Sequence, residues 1–180
     1  MQLFSNWQVP ANSMANAKTF RNSAAFGKRM EYFVVGRMLK EGLDVYMPLV
    51  DDHAVDAIVK RGNGTMALVQ IKARSNDVLD GHAALFAGIP HEEIRPNYWF
   101  VFYSERMDKT WLMTSEEFKA EARQNLNGKH KGKYTMLFNG RKTDKGTGFI
   151  HEHCKPQYEK YLAPTFDRLT HSNASPAPSA

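Results

Sequence analysis

The sequence predicts one α/β (α+β) domain in which a mixed β-sheet core is flanked by helices on both sides. A chain of 180 residues is long enough for one domain with its own core. Short runs rich in β-branched and aromatic residues predict strands, and longer stretches with apolar residues at helical spacing predict helices. Their order is helix, three-strand meander, connection, strand, strand and helix, which is typical of a mixed sheet covered by helices.

The two ends of the chain differ from the middle. Residues 1–22 are polar and contain no Asp or Glu, so we expect a flexible N-terminal arm. Residues 23–170 form the expected folded domain. Residues 171–180 contain no group that could be buried, and they predict a disordered tail.

The first half of the domain is a helix followed by a meander. Asn22 or Ser23 can cap a helix that runs to about residue 41, and Gly42 is a typical helix stop. The next three expected strands are residues 44–50, 53–60 and 65–73. Gly62-Asn63-Gly64 separates the last two and indicates a hairpin.

The second half alternates loops with short elements. Residues 75–96 are expected to be a mixed connection, and the aromatic run 98–103 a buried strand. Aromatic residues in this run could stack on bases, but strand spacing favours the core. The elements expected after it are a strand over 109–113, a helix over 116–124 capped by Thr114 or Ser115, a strand over 134–138, and a helix over 157–169 kinked at Pro164.

The hairpin brings three polar residues together if its loop has three residues. Arg61 then faces Thr65, and Asp56 lies opposite Gln70, on the same face of the sheet. Lys72 is two residues beyond Gln70 and therefore on that face as well. A two-residue loop would instead set Asp56 against Ile71 and separate the group.

These polar residues have apolar neighbours, since Val69 and Ile71 flank Gln70. Charged groups in such a strand are unfavourable unless they are paired or bind an ion. A buried ion pair between Asp56 and Lys72, with Gln70 as hydrogen-bond partner, is the structural alternative. Because buried ion pairs stabilise poorly, a functional role is favoured.

Glu31 is a fourth candidate on the first helix. By three-and-four spacing it lies along one stripe with Gly27, Val34 and Met38, at or near the face that packs on the sheet. The alternative is a boundary residue paired with Lys28 or with Arg29, which is also nearby in sequence.

Glu31, Val55-Asp56-Ala57-Ile58-Val59 and Val69-Gln70-Ile71-Lys72 resemble the PD-(D/E)XK nuclease superfamily. The segments at 27–31 and 42–48 look like the branch related to group I intron homing endonucleases and Holliday-junction resolvases. The resemblance covers about residues 24–75 and implies a restriction-endonuclease-like fold, with a mixed four-stranded core sheet. Val55 stands where the family usually has proline, and Gln70 where it usually has an acidic residue.

The resemblance implies a Mg²⁺ (or Mn²⁺) site and hydrolysis of phosphodiester bonds in DNA. Its metal ligands would be the side chains of Asp56, Gln70 and Glu31 and the backbone carbonyl of Ile71, all oxygen donors of the kind that Mg²⁺ prefers. Lys72 would position or deprotonate the attacking water and offset charge in the transition state. Because Gln70 is neutral, the site carries one negative charge fewer than it would with an acidic residue at this position.

Charge favours a nucleic-acid partner. The net charge is +5, which suits DNA, or RNA, although a solvated basic surface is the alternative. The residues expected to contact the backbone are Lys28, Arg29, Arg61, Arg74, Lys129, Lys131, Lys133, Arg141 and Lys142. The last five lie in glycine-interrupted segments that could track phosphates.

The sequence therefore predicts a metal-dependent DNA endonuclease. The alternatives are a non-catalytic nucleic-acid-binding domain on the same fold, and a protein-interaction module of a phage or mobile element. His151, His153 and Cys154 suggest zinc, but no second pair stands at finger spacing. One cysteine and the lack of a secretory signal or apolar span predict a cytoplasmic protein without membrane contact. Related nucleases often dimerise, so a homodimer is compatible with this function.

Overall fold

The computed structural model describes residues 23–50 and 53–171. The expected arm lies outside this range, as does the expected tail apart from His171. The elements, in chain order, are α1 (Ser23–Lys40), β1 (Asp44–Tyr46), β2 (Ala57–Lys60), β3 (Met66–Arg74), β4 (Leu85–Ile89), β5 (Tyr98–Ser104), β6 (Lys109–Thr114), α2 (Ser115–Glu121), β7 (Arg123–Gln124), β8 (Tyr134–Leu137), β9 (Asn139–Thr143), β10 (Ile150–Cys154), a 3₁₀ helix (Pro156–Tyr161) and α3 (Asp167–Thr170).

The central sheet has five strands in the order β1-β2-β3-β5-β6. β3 and β5 are parallel, whereas the other neighbours are antiparallel. This mixed sheet with helices confirms the predicted fold class. It has one strand more than the resemblance implied.

The β2–β3 hairpin has the predicted register. Ala57 pairs with Val69 and Lys60 pairs with Met66, and the Arg61 N–H donates to the Thr65 carbonyl at 2.9 Å. The three-residue loop is therefore confirmed. The regular ladder ends at Ala57, so this strand begins later than the predicted residue 53.

One face of the sheet packs against α1 and α3 through aliphatic side chains. α1 ends at Lys40, and Gly42 follows with a φ of 84°, a left-handed conformation that stops the helix and that glycine adopts without strain. The cluster includes Val34, Met38, Val69, Ile71, Val101, Leu112 and Leu169. Odd-numbered residues of β3 therefore face α1, and even-numbered residues face the other way.

The opposite face is aromatic and is covered by α2 and a second sheet, of order β4-β8-β7. Phe100 lies 4.2 Å from Phe118 of α2 between ring centroids. The run from Tyr98 to Tyr103 is buried, so it forms core and does not present bases with a stacking surface. β4 lies within the segment predicted as a mixed connection.

Three other predictions differ from the structure. The first strand ends at Tyr46, shortly before Pro48. The C-terminal segment is a 3₁₀ helix and a separate short α3, with Pro164 between them, because proline cannot continue a helical hydrogen-bond ladder. The loops expected around residue 140 contain the β9–β10 hairpin. Among the described residues, no helix has the length and apolarity required to cross a bilayer.

Candidate active site

Asp56 lies where β2 separates from β3. Ala54 has a φ of 53°, a left-handed conformation that is uncommon for residues other than glycine. The Tyr98 hydroxyl donates to the Ala54 carbonyl, and the Arg95 guanidinium donates to the His53 carbonyl at 2.9 Å. These two contacts hold the bent segment that leads into Asp56.

The Asp56 carboxylate occupies a position in the ladder between β2 and β3. Its Oδ2 accepts the Ile71 N–H at 2.6 Å, while its own N–H donates to the Val69 carbonyl at 2.8 Å. Asp56 therefore sits alongside Gln70 but does not form the regular ladder pair that we predicted. The residue is 8% exposed, and these bonds fix the carboxylate next to β3.

The Ile71 backbone also faces this site. Since the N–H and C=O of one strand residue point to the same side, the Ile71 carbonyl lies on the side of Asp56. β2 does not extend to pair with it, because the regular register ends at Ala57 and Val69. The Ile71 side chain points instead into the aliphatic core under α1.

Gln70 is buried, with 3% exposure, and it lies beside Phe100 on the neighbouring strand. Within the described residues its side-chain amide makes no hydrogen bond, and it is not among the fully enclosed unbonded polar atoms. The amide therefore opens onto space that water or an ion can enter. Because a buried amide needs a hydrogen-bond partner, this amide is available to water or to a ligand that enters the site.

Lys72 follows on the same face, beside Phe102, and its side chain is half-buried. The ion pairs among the described residues do not include one between Lys72 and Asp56. The structural alternative of a buried Asp56–Lys72 pair is therefore not formed. Asp56 is satisfied by the backbone of Ile71 instead.

Glu31 contacts Lys28, which agrees with the alternative that Glu31 is a boundary residue paired with a neighbouring base. The Lys28 Nζ lies 2.6 Å from Glu31 Oε2. This hydrogen bond is the main cause that raises the pKa of Lys28, and the charge of Asp56 adds to it. Lys28 is thus within electrostatic range of both carboxylates. The sequence predicted Lys28 as a phosphate contact and as a possible partner of Glu31, but it did not indicate that the charge of Asp56 also acts on Lys28.

Two arginines expected to contact phosphates are engaged inside the protein. Arg61 is 3% exposed, and its guanidinium donates to the Leu169 carbonyl at 2.9 Å and to Asn97 Oδ1 at 3.0 Å. The structure therefore argues against the role that we assigned to Arg61. Arg74 is half-buried, and its Nε donates to the His82 carbonyl at 3.3 Å.

The remaining basic candidates are exposed. Arg29 lies on the surface of α1. Lys129, Lys131 and Lys133 lie in the loop between β7 and β8, and Arg141 and Lys142 lie on β9. The structure does not gather them around Asp56.

No group of three or more His, Cys, Asp or Glu side chains in the described segments is arranged to hold a metal ion. His151 and His153 are exposed on β10, whereas Cys154 accepts the Trp111 indole N–H at 3.4 Å. The donors near Asp56 are of another kind: carboxylate, amide and backbone oxygens. This mixed set fits a hard cation and not zinc.

No protein-family model matches the sequence, and no curated protein matches it. Among solved structures, the chain is similar to the bacterial homing endonuclease I-Ssp6803I, with a TM-score of 0.50 and 18% sequence identity over 79% of this chain and 89% of that chain. At this identity the likeness shows the fold alone. The class defined here is thus an endonuclease-like fold, with a mixed sheet and helices.

Proposed function

We propose that this protein is a metal-dependent DNA endonuclease whose active site is formed by Asp56, Gln70 and Lys72, with Glu31 at its edge. The observation that carries the proposal is the Gln70 amide, which is 3% exposed and has no hydrogen-bond partner among the described residues. It lies alongside a carboxylate that the fold holds rigidly. The endonuclease-like fold supports the same function.

The oxygen donors fit Mg²⁺ or Mn²⁺. Asp56, the Gln70 side-chain oxygen and the Ile71 carbonyl would hold the ion, with Glu31 as a further ligand. When bound, the metal would polarise the scissile phosphate and lower the pKa of a bound water. Lys28 would compete for Glu31, because its amine lies 2.6 Å from Oε2.

Lys72 would act on the phosphate and the attacking water. Its ammonium can donate hydrogen bonds to both and stabilise the negative charge that develops on the phosphoryl oxygens. In its neutral form it could accept the proton of the water.

Cleavage of supercoiled, linear, branched and single-stranded DNA, and of RNA, in Mg²⁺ or Mn²⁺ tests the proposal. We expect wild-type protein to cut DNA, and Asp56→Ala and Lys72→Ala to lose on the order of 10²-fold or more in rate. The matched controls are Asp44→Ala and Lys40→Ala, which remove exposed charges away from the site. Wild-type protein that cuts no DNA, or site variants that cut as fast as the controls, would contradict the proposal.

A second function is favoured by one observation. Gln70 stands where the nuclease superfamily usually has an acid, which suits a domain that binds nucleic acid without cutting it. DNA binding that survives Asp56→Ala, weakens with salt and occurs without cleavage would support it. If the protein bound no nucleic acid even at low salt, the remaining alternative would be a protein-interaction module.

A homodimer would supply two sites for two strands, and light scattering would detect it.

A further inference from the structure

The β9–β10 hairpin is a two-stranded ribbon whose base, at Asn139 and Cys154, meets the aromatic core and whose remaining length lies outside both cores. Five residue pairs join the strands, from Ile150 with Thr143 to Cys154 with Asn139. All residues from Arg141 to Phe149 are exposed. An isolated two-stranded hairpin is marginal in water, so this one needs support at its base.

The base of the ribbon is fixed by buried polar contacts. Asn139, which is 1% exposed, accepts the Ala84 N–H at 2.9 Å and donates to the Gly81 carbonyl at 3.1 Å. The Glu152 carboxylate accepts the Ala83 N–H at 3.1 Å and lies 3.2 Å from the Arg106 guanidinium. The two strands therefore leave the protein from a rigid root.

This root lies near the end of β3 that carries Lys72. Arg74, two residues further along β3, donates to the carbonyl of His82 at 3.3 Å. His82 directly precedes Ala83 and Ala84, whose N–H groups bind Glu152 and Asn139. Hydrogen bonds therefore connect the base of the ribbon, through His82, Ala83 and Ala84, to Arg74 at the end of β3.

The two faces of the ribbon differ in what they meet. In the observed register Arg141 and Glu152 share one face, and Arg141 lies against Gly81 of the protein body. The other face carries Lys142, His151 and His153. The His153 ring lies across Gly140, where a Cβ would come within 2.7 Å of it. A Cβ at position 140 would therefore displace this ring.

The charge of the outward face and tip is positive. Lys142 and Lys145 are exposed and make no hydrogen bond or ion pair to other described residues. The acid of the tip, Asp144, is occupied, since its Oδ1 accepts the N–H groups of Gly146 and Thr147 at 3.0 Å and 2.7 Å. Phe149 packs on His151 with ring centroids 4.7 Å apart.

We propose that the β9–β10 ribbon enters the major groove of duplex DNA with its outward face toward the bases. The major groove is about 12 Å wide and admits a two-stranded ribbon, and five residues of strand extend about 17 Å. Lys142 and the two histidines reach base edges, and Lys145 contacts phosphate. The inference rests on the proposed function, because the ribbon would hold the duplex that the candidate active site cuts.

Binding is measured in EDTA, so that it does not depend on cleavage. The full chain is titrated with a labelled duplex by fluorescence anisotropy at several salt concentrations. We expect Lys142→Ala/Lys145→Ala to bind about tenfold more weakly or worse, with the slope of log Kd against log salt smaller by about 1, because Lys145 alone of the two contacts phosphate. The control, Lys40→Ala/Lys60→Ala, removes the same charge from exposed positions elsewhere and should bind nearly as wild type.

A second measurement identifies the groove. A duplex with glucosylated 5-hydroxymethylcytosine carries sugars in the major groove, and we expect wild-type protein to bind it about tenfold more weakly than the unmodified duplex. Equal binding of the two duplexes, or a ribbon variant that binds like the control, overturns the proposal. If wild-type protein cuts nothing in Mg²⁺ but the ribbon variant loses affinity, the endonuclease proposal fails and the ribbon stands.

Discussion

The two hairpins β2–β3 and β9–β10 place polar residues in opposite environments. In the first, Asp56 and Gln70 are 8% and 3% exposed within a sheet that is covered on both faces. In the second, all residues from Arg141 to Phe149 are exposed. A polar residue in the first hairpin needs a reason, because burial without a partner is unfavourable. In the second hairpin exposed polar residues are solvated at no cost, so function there must be inferred from charge and position.

The buried polar residues also differ in whether they have a hydrogen-bond partner. His91 and Gln70 are both nearly inaccessible, at 6% and 3% exposure. His91 is satisfied, since its Nε2 lies 2.7 Å from the Ser115 hydroxyl, whereas Gln70 has no partner among the described residues. Burial alone therefore does not mark a functional group, and what distinguishes Gln70 from His91 is that its amide has no partner in the described part of the chain.

The largest expected effect is that of Asp56→Asn on cleavage. The amide oxygen can still accept the Ile71 N–H that Asp56 binds at 2.6 Å, so the fold should persist. We expect cleavage to fall by on the order of 10²-fold or more, and the melting temperature to stop responding to Mg²⁺. Cleavage rates and thermal melts with and without Mg²⁺ measure both. A variant that still gains stability from Mg²⁺ would place the metal elsewhere.

The free energy of unfolding should depend on pH through His91, a buried group that has a hydrogen-bond partner. Burial, followed by the charges of Lys119 and Arg95, lowers the pKa of His91 to about 4, whereas an unfolded histidine titrates near 6.5. Between these values the unfolded state binds more protons, so stability falls as pH drops from about 6.5 to 4, by up to about 3 kcal/mol. No such loss is expected above pH 7.

Urea unfolding across this pH range measures the His91 effect. His91→Gln removes the titration and keeps an acceptor for Ser115, so its pH profile should be flatter than that of wild type. His53→Gln, at an exposed position, is the control and should follow wild type. Parallel profiles for wild type and His91→Gln would contradict the low pKa.

Arg61 and Lys60 are adjacent at the end of β2, but their environments differ. Arg61→Ala leaves the Leu169 carbonyl without the donor that lies 2.9 Å away, and we expect a loss of about 2 kcal/mol in the free energy of unfolding. Lys60→Ala, at an exposed position, should change it by less than about 0.5 kcal/mol. Urea unfolding checks both. If Arg61→Ala instead left stability normal and weakened DNA binding, the result would support the phosphate contact that the sequence predicts for Arg61.

The sequence predicted the β2–β3 hairpin well because local chemistry determines it. Gly62-Asn63-Gly64 specifies a three-residue turn, and the turn fixes the register through Ala57 and Val69. The last step, from Ala57 to Asp56, failed because Ala54 bends the chain with a φ of 53°. That bend is held by Tyr98 and Arg95, which are distant in sequence, and hydrophobic periodicity carries no information about them.

The β9–β10 hairpin was missed for the opposite reason. Its residues are exposed on both strands around the tip, so they show no alternation of apolar and polar residues. Its stability comes from Asn139 and Glu152, which bind backbone more than fifty residues away. The burial of Arg61 was missed similarly, because its acceptor at Leu169 lies in a short helix at the other end of the chain.

The smallest expected effect is that of Gln70→Glu, and it separates a weakened metal site from a structural amide. A carboxylate at this position, 3% exposed beside Asp56, should lower the melting temperature in EDTA, because burial and a like charge disfavour it. Mg²⁺ should restore the melting temperature and bind about tenfold more tightly than in wild type. Asn127→Asp, which adds a negative charge in an exposed loop, should do neither. If Mg²⁺ leaves Gln70→Glu destabilised, the amide is not a metal ligand, and the site would be limited to Asp56, Glu31 and the backbone.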